Sequence, residues 1–299
     1  MRVPLDRRLE PPPREAIDRL VSLPFVLVGV THGEVDPAWF DLCDVVVAED
    51  DPVLGRVEEN LAVRPIAGTT LALLLRAAPL RPLGDGLVAE SSAYSVLQSG
   101  PEFAAWRTAN PPRPDRDGGP RVKVEAAGAR LVVTLTRPDR LNALDAAMRD
   151  ELSDAFSLAA ADRGITAVEW RGEGRSFCAG GDLDEFGTRS DPASAHLVRL
   201  QRNLGRYLTE LEKPVTTYVH GPCLGSGIEL AAFTDTVVGA PDATFALPEI
   251  GLGLVPGAGG TVSLTRRIGR LRTAMLAFTA EPIDVATAKE WGLIDRVEP

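Results

Sequence analysis

The stretch that decides the fold reads Leu224-Gly225-Ser226-Gly227-Ile228-Glu229-Leu230, then Phe245-Ala246-Leu247-Pro248-Glu249-Ile250, then Pro256-Gly257-Ala258-Gly259-Gly260. Val215–Val219 before it reads as a short strand, and residues 227–233 open a helix. Thr236–Gly239 returns to strand and residues 261–267 to helix. Working back, residues 122–125 and 131–135 form a hairpin pattern around 126–130. Residues 144–161 carry Leu144, Met148, Leu152, Phe156 and Leu158 at helical spacing, with Asp145 near the start. Residues 167–170 read as a further short strand. Strand and helix alternating in this way predict an α/β protein.

Glu229 and Glu249 stand 20 residues apart, each beside a glycine-rich turn. Two carboxyls facing one small site can hold a water, deliver its hydroxyl and return its proton. Glycine turns let backbone N–H groups approach a developing oxyanion without side-chain interference. Each residue also has a plainer reading. Glu229 could be a carboxylate favoured by a helix N-terminus, and Glu249, after Pro248, a turn residue.

At 299 residues, the chain can bury a large core in one large domain or two, and 44% hydrophobic with 25% charged residues is ordinary for a globular protein. The apolar runs are too short to span a bilayer, and Met1-Arg2-Val3-Pro4-Leu5-Asp6-Arg7-Arg8 lacks the apolar segment of a secretory signal. A cytoplasmic protein without membrane partners is therefore expected. Net charge of −10 argues against nucleic-acid binding. Arg266-Arg267-Ile268-Gly269-Arg270-Leu271-Arg272 is a basic exception, read as a solvated helix end or an interface, with phosphate binding as the alternative. Cys43, Cys178 and Cys223 form no paired spacing, and His32, His196 and His220 form no metal-binding pattern, so neither a disulfide framework nor a metal is expected. Cys178 and Cys223 read as small buried residues, and His220 as a structural turn residue.

Asn110-Pro111-Pro112-Arg113-Pro114-Asp115-Arg116-Asp117-Gly118-Gly119-Pro120 cannot sustain helix or sheet and reads as a linker over residues 110–120. It separates a front domain, residues 1–109, from a rear domain, residues 121–299. The front also repeats part of the rear. Residues 44–76 laid on 235–267 at a constant offset of 191 give 12 identities, Asp44/Asp235, Glu58/Glu249, Gly68/Gly259 and Arg76/Arg267 among them. Chance would give about two. The front copy lacks the glycine turn, so Glu229 has no counterpart. The front domain thus reads as a decayed half-copy, and Glu58 as a remnant.

Three more segments complete the pattern: Arg137-Pro138-Asp139-Arg140-Leu141-Asn142-Ala143-Leu144, Arg175-Ser176-Phe177-Cys178-Ala179-Gly180-Gly181-Asp182-Leu183, and Lys213-Pro214 leading to His220-Gly221-Pro222. In this order and spacing they resemble the crotonase (enoyl-CoA hydratase/isomerase) superfamily over about the last 175 residues. The resemblance implies a ββα spiral core with a smaller N-terminal α/β domain. The family's C-terminal helices beyond Gly292-Leu293-Ile294-Asp295-Arg296-Val297 are expected to be truncated. It implies an oxyanion hole from the N–H groups of Gly181 and Ser226, the second commonly glycine in the family. It implies Glu229 and Glu249 as the catalytic pair, and Ala179, Gly181, Asp182, Leu183 and Asp184 along the coenzyme A path. Asp182 could instead cap a helix beginning near Leu183.

The resemblance also implies an activity, that of an enoyl-CoA hydratase-like lyase adding water across the 2,3 double bond of an acyl-CoA thioester. Such an enzyme uses no cofactor beyond the coenzyme A of its substrate, and a family-like homo-oligomer would be a trimer or hexamer. Alternatives are an isomerase or acyl-CoA hydrolase of the same superfamily, or a non-catalytic partner subunit. The front domain is expected to pack on the rear one and cover the surface that the family's C-terminal helices cover.

Overall fold

The computed structural model describes residues 1–5, 10, 12–20, 22–113, 119–188 and 191–298. The centre of the expected linker, residues 114–118, lies outside them. The front segment runs β1 (Arg2–Leu5), α1 (Arg14–Leu20), β2 (Val28–Thr31), α2 (Trp39–Leu42), β3 (Val45–Ala48), α3 (Val53–Val63), α4 (Pro65–Ala77), α5 (Leu83–Gln98) and α6 (Pro101–Ala109). Its three strands pair in parallel in chain order. Asp44, just before β3, accepts from Leu27 N at 2.8 Å and pairs with Arg76 of α4 at 2.6 Å.

The rear segment opens with β4 (Val122–Ala127), β5 (Arg130–Leu135), α7 (Ala146–Ala161), β6 (Ala167–Gly172), α8 (Pro192–Gln201) and α9 (Leu204–Glu210). It continues with β7 (Val215–Val219), β8 (Pro222–Leu224), α10 (Ser226–Ala231), β9 (Thr236–Gly239), β10 (Thr244–Ala246), α11 (Gly260–Ile268), α12 (Arg270–Thr279), β11 (Ile283–Asp284), α13 (Val285–Trp291) and β12 (Arg296–Val297). A six-stranded sheet has the order β12-β9-β7-β6-β5-β4, parallel except at the β4–β5 hairpin. A small second sheet has the order β11-β10-β8. The chain alternates between them: β7 then β8 then α10, and β9 then β10 then α11. Each unit is therefore two strands in different sheets followed by a helix, which is the expected ββα arrangement.

Local chemistry explains the elements. Strand β5 buries Leu131, Val133 and Leu135 on one face, the period-2 signature of a half-buried strand. Asp145 caps α7, its Oδ1 accepting from Met148 N at 2.7 Å. Helix α7 buries Met148, Leu152, Ala155, Phe156 and Ala159. Leu158, expected on that stripe, is 48% exposed, because it lies about 200° around the helix from Phe156 while Ala159 completes the buried face.

Front and rear share one hydrophobic core. Val57, Leu71, Leu74, Leu75, Leu97 and Phe103 belong to the same buried cluster as Leu247, Ile250, Leu254, Leu264 and Phe278. A second, smaller cluster holds Leu5, Ile17, Leu27, Trp39, Leu42 and Cys43. Helix α12 packs on α3 and α4, and α5 packs on α8 and α11. Polar contacts fasten the seam: Asn60 Nδ2 donates to Phe278 O at 2.9 Å, and Arg270 Nη1 to Cys43 O at 2.7 Å. The basic run beginning at Arg266 is thus an interface within the chain. Arg267 reaches Leu293 O at 2.8 Å, and Arg272 reaches Trp291 O at 3.0 Å. Asn60 and Arg270 meet main-chain carbonyls that would otherwise be poorly solvated at the seam.

Candidate active site

Three loops are hydrogen-bonded side by side. Residues 137–144 are held by Asn142: Arg137 N donates to Asn142 Oδ1 at 2.8 Å, and Asn142 Nδ2 donates to Glu173 O and Ser176 O, both at 2.8 Å. This anchors the loop before Gly181, because Leu144 N then donates to Gly180 O at 2.8 Å and Asp182 N to Leu144 O at 2.9 Å. Leu224 N donates to Cys178 O at 3.0 Å, which locks the third loop alongside.

Gly225 has φ 47° and ψ −124°, and a Cβ there would stand 2.5 Å from Glu249 Oε1. Only glycine gives this turn and leaves room for the carboxyl. Ser226 follows as the first residue of α10, so its N–H has no partner within the helix. Among the described residues, neither Gly181 N nor Ser226 N donates to a main-chain carbonyl. Both residues line a cavity of about 420 Å³, together with Glu229, Glu249, Leu144 and Leu230.

The two glutamates are both buried there, in unlike surroundings. Glu229 Oε2 accepts from Ala258 N at 2.8 Å and Gly260 N at 2.9 Å. Glu249 begins a 3-10 turn over Glu249–Leu252, and its Oε2 is buried with no hydrogen-bond partner. Burial raises the Glu229 carboxyl above its ordinary value, while the N–H groups of Ala258 and Gly260 pull it back down. Burial, and then the adjacent Glu229 charge, hold Glu249 well above the ordinary value.

Of the residues expected along the coenzyme A path, Ala179, Asp182, Leu183 and Asp184 do not line this cavity. Asp182 caps no helix, since residues 183–187 form a turn. Its Oδ2 instead accepts from Arg137 Nη1 at 2.7 Å, in a buried group where Arg121 also pairs with Asp145 at 2.8 Å. Two arginines and two aspartates neutralise one another there, the condition under which buried charges are tolerated. Asp184 is held by Arg113 at 3.3 Å and Arg140 at 3.4 Å. Asp182 and Asp184 line a second hollow of about 370 Å³, whereas Ala179 and Leu183 line neither cavity. Cys178 and Cys223 are buried, and desolvation raises both thiols. His220 Nε2 meets Gly174 O at 3.0 Å, in a turn.

The sequence reading missed one wall. Tyr94 and Gln98 of α5 line the main cavity, as do Arg149 and Arg199. The Tyr94 ring makes an edge contact with Phe186, centroids 6.4 Å apart, and lies 4.8 Å under the Arg199 guanidinium. The signal was the spacing of Glu90, Tyr94 and Gln98, polar groups one helical turn apart on a helix that also carries Asp85, Ser91, Ser92 and Ser95. Without knowing what α5 faces, that stripe is indistinguishable from a solvated one.

The family model for enoyl-CoA hydratase/isomerase matches residues 125–299. The 2,3-dehydroadipyl-CoA hydratase of Escherichia coli strain K12 is 38% identical over 169 residues, 56% of this chain and 66% of its own. The short-chain-enoyl-CoA hydratase of Clostridium acetobutylicum is 36% identical over 177 residues, 59% of this chain and 68% of its own. The match therefore spans about two thirds of these relatives' length. Among solved structures, an enoyl-CoA hydratase from Thermoplasma volcanium superposes with a TM-score of 0.57 at 33% identity, covering 60% of this chain and 72% of that one. Sequence, superposition and the ββα units agree: the chain belongs to the enoyl-CoA hydratase/isomerase family.

Proposed function

We propose that this chain is an enoyl-CoA hydratase that adds water across the 2,3 double bond of a 2-enoyl-CoA thioester. The observation that carries the reading is the unlike pair at one cavity: Glu229 with two N–H donors on one oxygen, and Glu249 with an oxygen that has none. Donors favour the charged form and desolvation beside a charge favours the neutral one, so Glu229 takes the negative charge and Glu249 keeps the proton.

The chemistry follows from that division. A water between the two carboxyls loses one proton to Glu229 as its oxygen bonds to the β-carbon. The π-electron pair moves onto the α-carbon and thioester oxygen, giving an enolate. The N–H groups of Gly181 and Ser226 carry that negative charge, and losing one such donor typically costs about 3 kcal/mol. Glu249 then gives its proton to the α-carbon, and the proton on Glu229 returns to Glu249. Substrate plus water equals product, with both carboxyls restored. Isomerisation within this family often needs only the carboxyl at the Glu249 position, so the presence of both supports hydration.

The test is an absorbance assay of the full chain on crotonyl-CoA, with 3-enoyl-CoA isomerisation measured in parallel. Loss of the conjugated enoyl absorbance, and a Glu229→Gln variant that loses hydration more than isomerisation, are expected. Tight acyl-CoA binding with no turnover would point to the non-catalytic partner role and sink the hydratase reading.

A further inference from the structure

A third carboxyl reaches this site from the front segment. Glu90 of α5 is buried, and it grips the turn that holds Glu229. Glu90 Oε1 accepts from Gly259 N at 2.6 Å, and Oε2 accepts from Thr261 N at 2.8 Å and Thr261 Oγ1 at 2.7 Å. Glu229 takes the intervening donors, Ala258 N and Gly260 N. Four consecutive N–H groups therefore go alternately to a carboxyl of the rear segment and a carboxyl of the front one.

From this we infer that Glu90 is a positioning residue for Glu229, so that the front segment completes the hydration machinery. The inference rests on the hydratase reading for its activity readout only. A peptide plane in a tight turn cannot rotate alone. Fixing the N–H groups of Gly259 and Thr261 fixes the 258–259 and 260–261 peptide planes, the two on either side of the 259–260 plane that carries the Gly260 N–H, and so restricts where that N–H points. Gly259 has φ 107°, a left-handed conformation, and a Cβ on Gly260 would stand 2.6 Å from Glu229 Cγ, so the turn is pressed against the carboxyl it serves.

The carrier helix is itself well fixed. Arg199 of α8 donates to Ser91 Oγ at 3.1 Å and Ser91 O at 3.3 Å, and Ser95 Oγ donates to Pro192 O at 2.9 Å. His196 Nδ1 meets Ser91 Oγ at 2.9 Å. Tyr94, one turn beyond Glu90, lies against Gly257 of the same turn. Burial and the neighbouring Glu229 charge raise Glu90 too, while the Thr261 and Gly259 donors oppose them. The first N–H groups of α11 need acceptors, but a carboxyl so close to another buried carboxyl is a costly way to supply them. Its value lies in what it does to the turn between them.

The test is a double-mutant cycle in the full chain. Glu90→Gln keeps the side chain's shape but turns an NH2 toward one of the N–H donors. It is expected to lower kcat for enoyl-CoA hydration about 10- to 100-fold, the loss typical of a displaced acid–base group, with KM within about threefold. In a Glu229→Gln background the same change is expected to cost less than about threefold more, because the group it positions is already disabled. Equal losses in both backgrounds, or a Glu90→Gln kcat within about twofold of wild type, would overturn the assignment.

Amide hydrogen exchange gives a readout that needs no turnover. Ala258 and Gly260 amides are expected to exchange about tenfold faster in Glu90→Gln while those of α7 stay unchanged. Unchanged exchange at those two amides would refute the positioning role even in a chain that hydrates nothing; an inactive wild type with accelerated exchange would refute only the hydratase reading. Should Glu90→Gln fail to fold, Thr261→Val removes a single donor to Glu90 and should shift kcat and exchange in the same direction by less. No shift in either would count against the proposal.

Discussion

Residues 44–76 and 235–267, which share 12 identities at a constant offset, stand in two settings. Asp44 accepts from Leu27 N at 2.8 Å, and its repeat partner Asp235 accepts from Val215 N at 2.7 Å. Strand β3 and strand β9 begin one residue after each, and α4 and α11 carry the matching Arg76 and Arg267 as their next-to-last residues. Both segments keep these local features. The carboxyls differ: Glu249 is buried at the cavity with an unpaired oxygen, whereas Glu58 lies on α3 at the surface, paired with Arg2. The comparison teaches that a backbone frame survives on local hydrogen bonds, while a perturbed carboxyl needs an enclosing wall. For Glu249, one side of that wall is supplied by Tyr94 and Gln98 of α5 in the front segment.

The largest effect should come from removing the front altogether. Residues 121–299 expressed alone are expected to aggregate or lose acyl-CoA binding, because α11 and α12 would expose the apolar faces that α3, α4 and α5 cover. A soluble, folded and fully active fragment would break the comparison at once, since the rear copy would then need no wall from the front.

Next comes the pair of aligned carboxyls. Glu249→Gln should lower kcat about 10²- to 10⁴-fold with little change in KM, because a proton donor acts in the transition state rather than in binding. Glu58→Gln should leave kcat unchanged and move stability by less than about 0.5 kcal/mol, as expected of an exposed ion pair. Steady-state kinetics on both variants check this. A Glu249 effect confined to KM would remove its assigned role.

The smallest effect is in the pH dependence of stability. Glu90, Glu229 and Glu249 all have folded values raised above the ordinary 4.5. A raised carboxyl binds its proton more tightly folded than unfolded. Its contribution is complete below the ordinary value and is lost as pH rises through the raised one. Denaturant midpoints should therefore fall from about pH 6 to about pH 8, and Glu249→Gln should flatten the fall. A midpoint that rises over this range would contradict the burial of the three carboxyls.

Much of the frame was legible in the residues. Val215–Val219 and Thr236–Gly239 have the expected bounds because both are rich in β-branched residues and bounded by turn residues. The glycine-rich segments marked the turns that carry Gly225 and Gly260, since few other residues tolerate the backbone or the crowding there. The short sheet of β8, β10 and β11 left no such trace, being only two or three residues per strand. Helices α8 and α9 also went unread, their apolar content being too sparse to stand out.

By itself, then, the sequence determined the α/β class, the glycine turns, the two glutamates and the repeat, all of which depend on spacing within a few dozen residues. Only the tertiary structure decided that Asp182 serves Arg137 rather than a helix, that Tyr94 closes the cavity, and that Glu90 shares a turn with Glu229 across a separation of 169 to 171 residues. The reason is physical. A carboxylate on a helix looks the same in sequence whether it faces water or a ring of N–H groups, and only packing determines which of the two it meets.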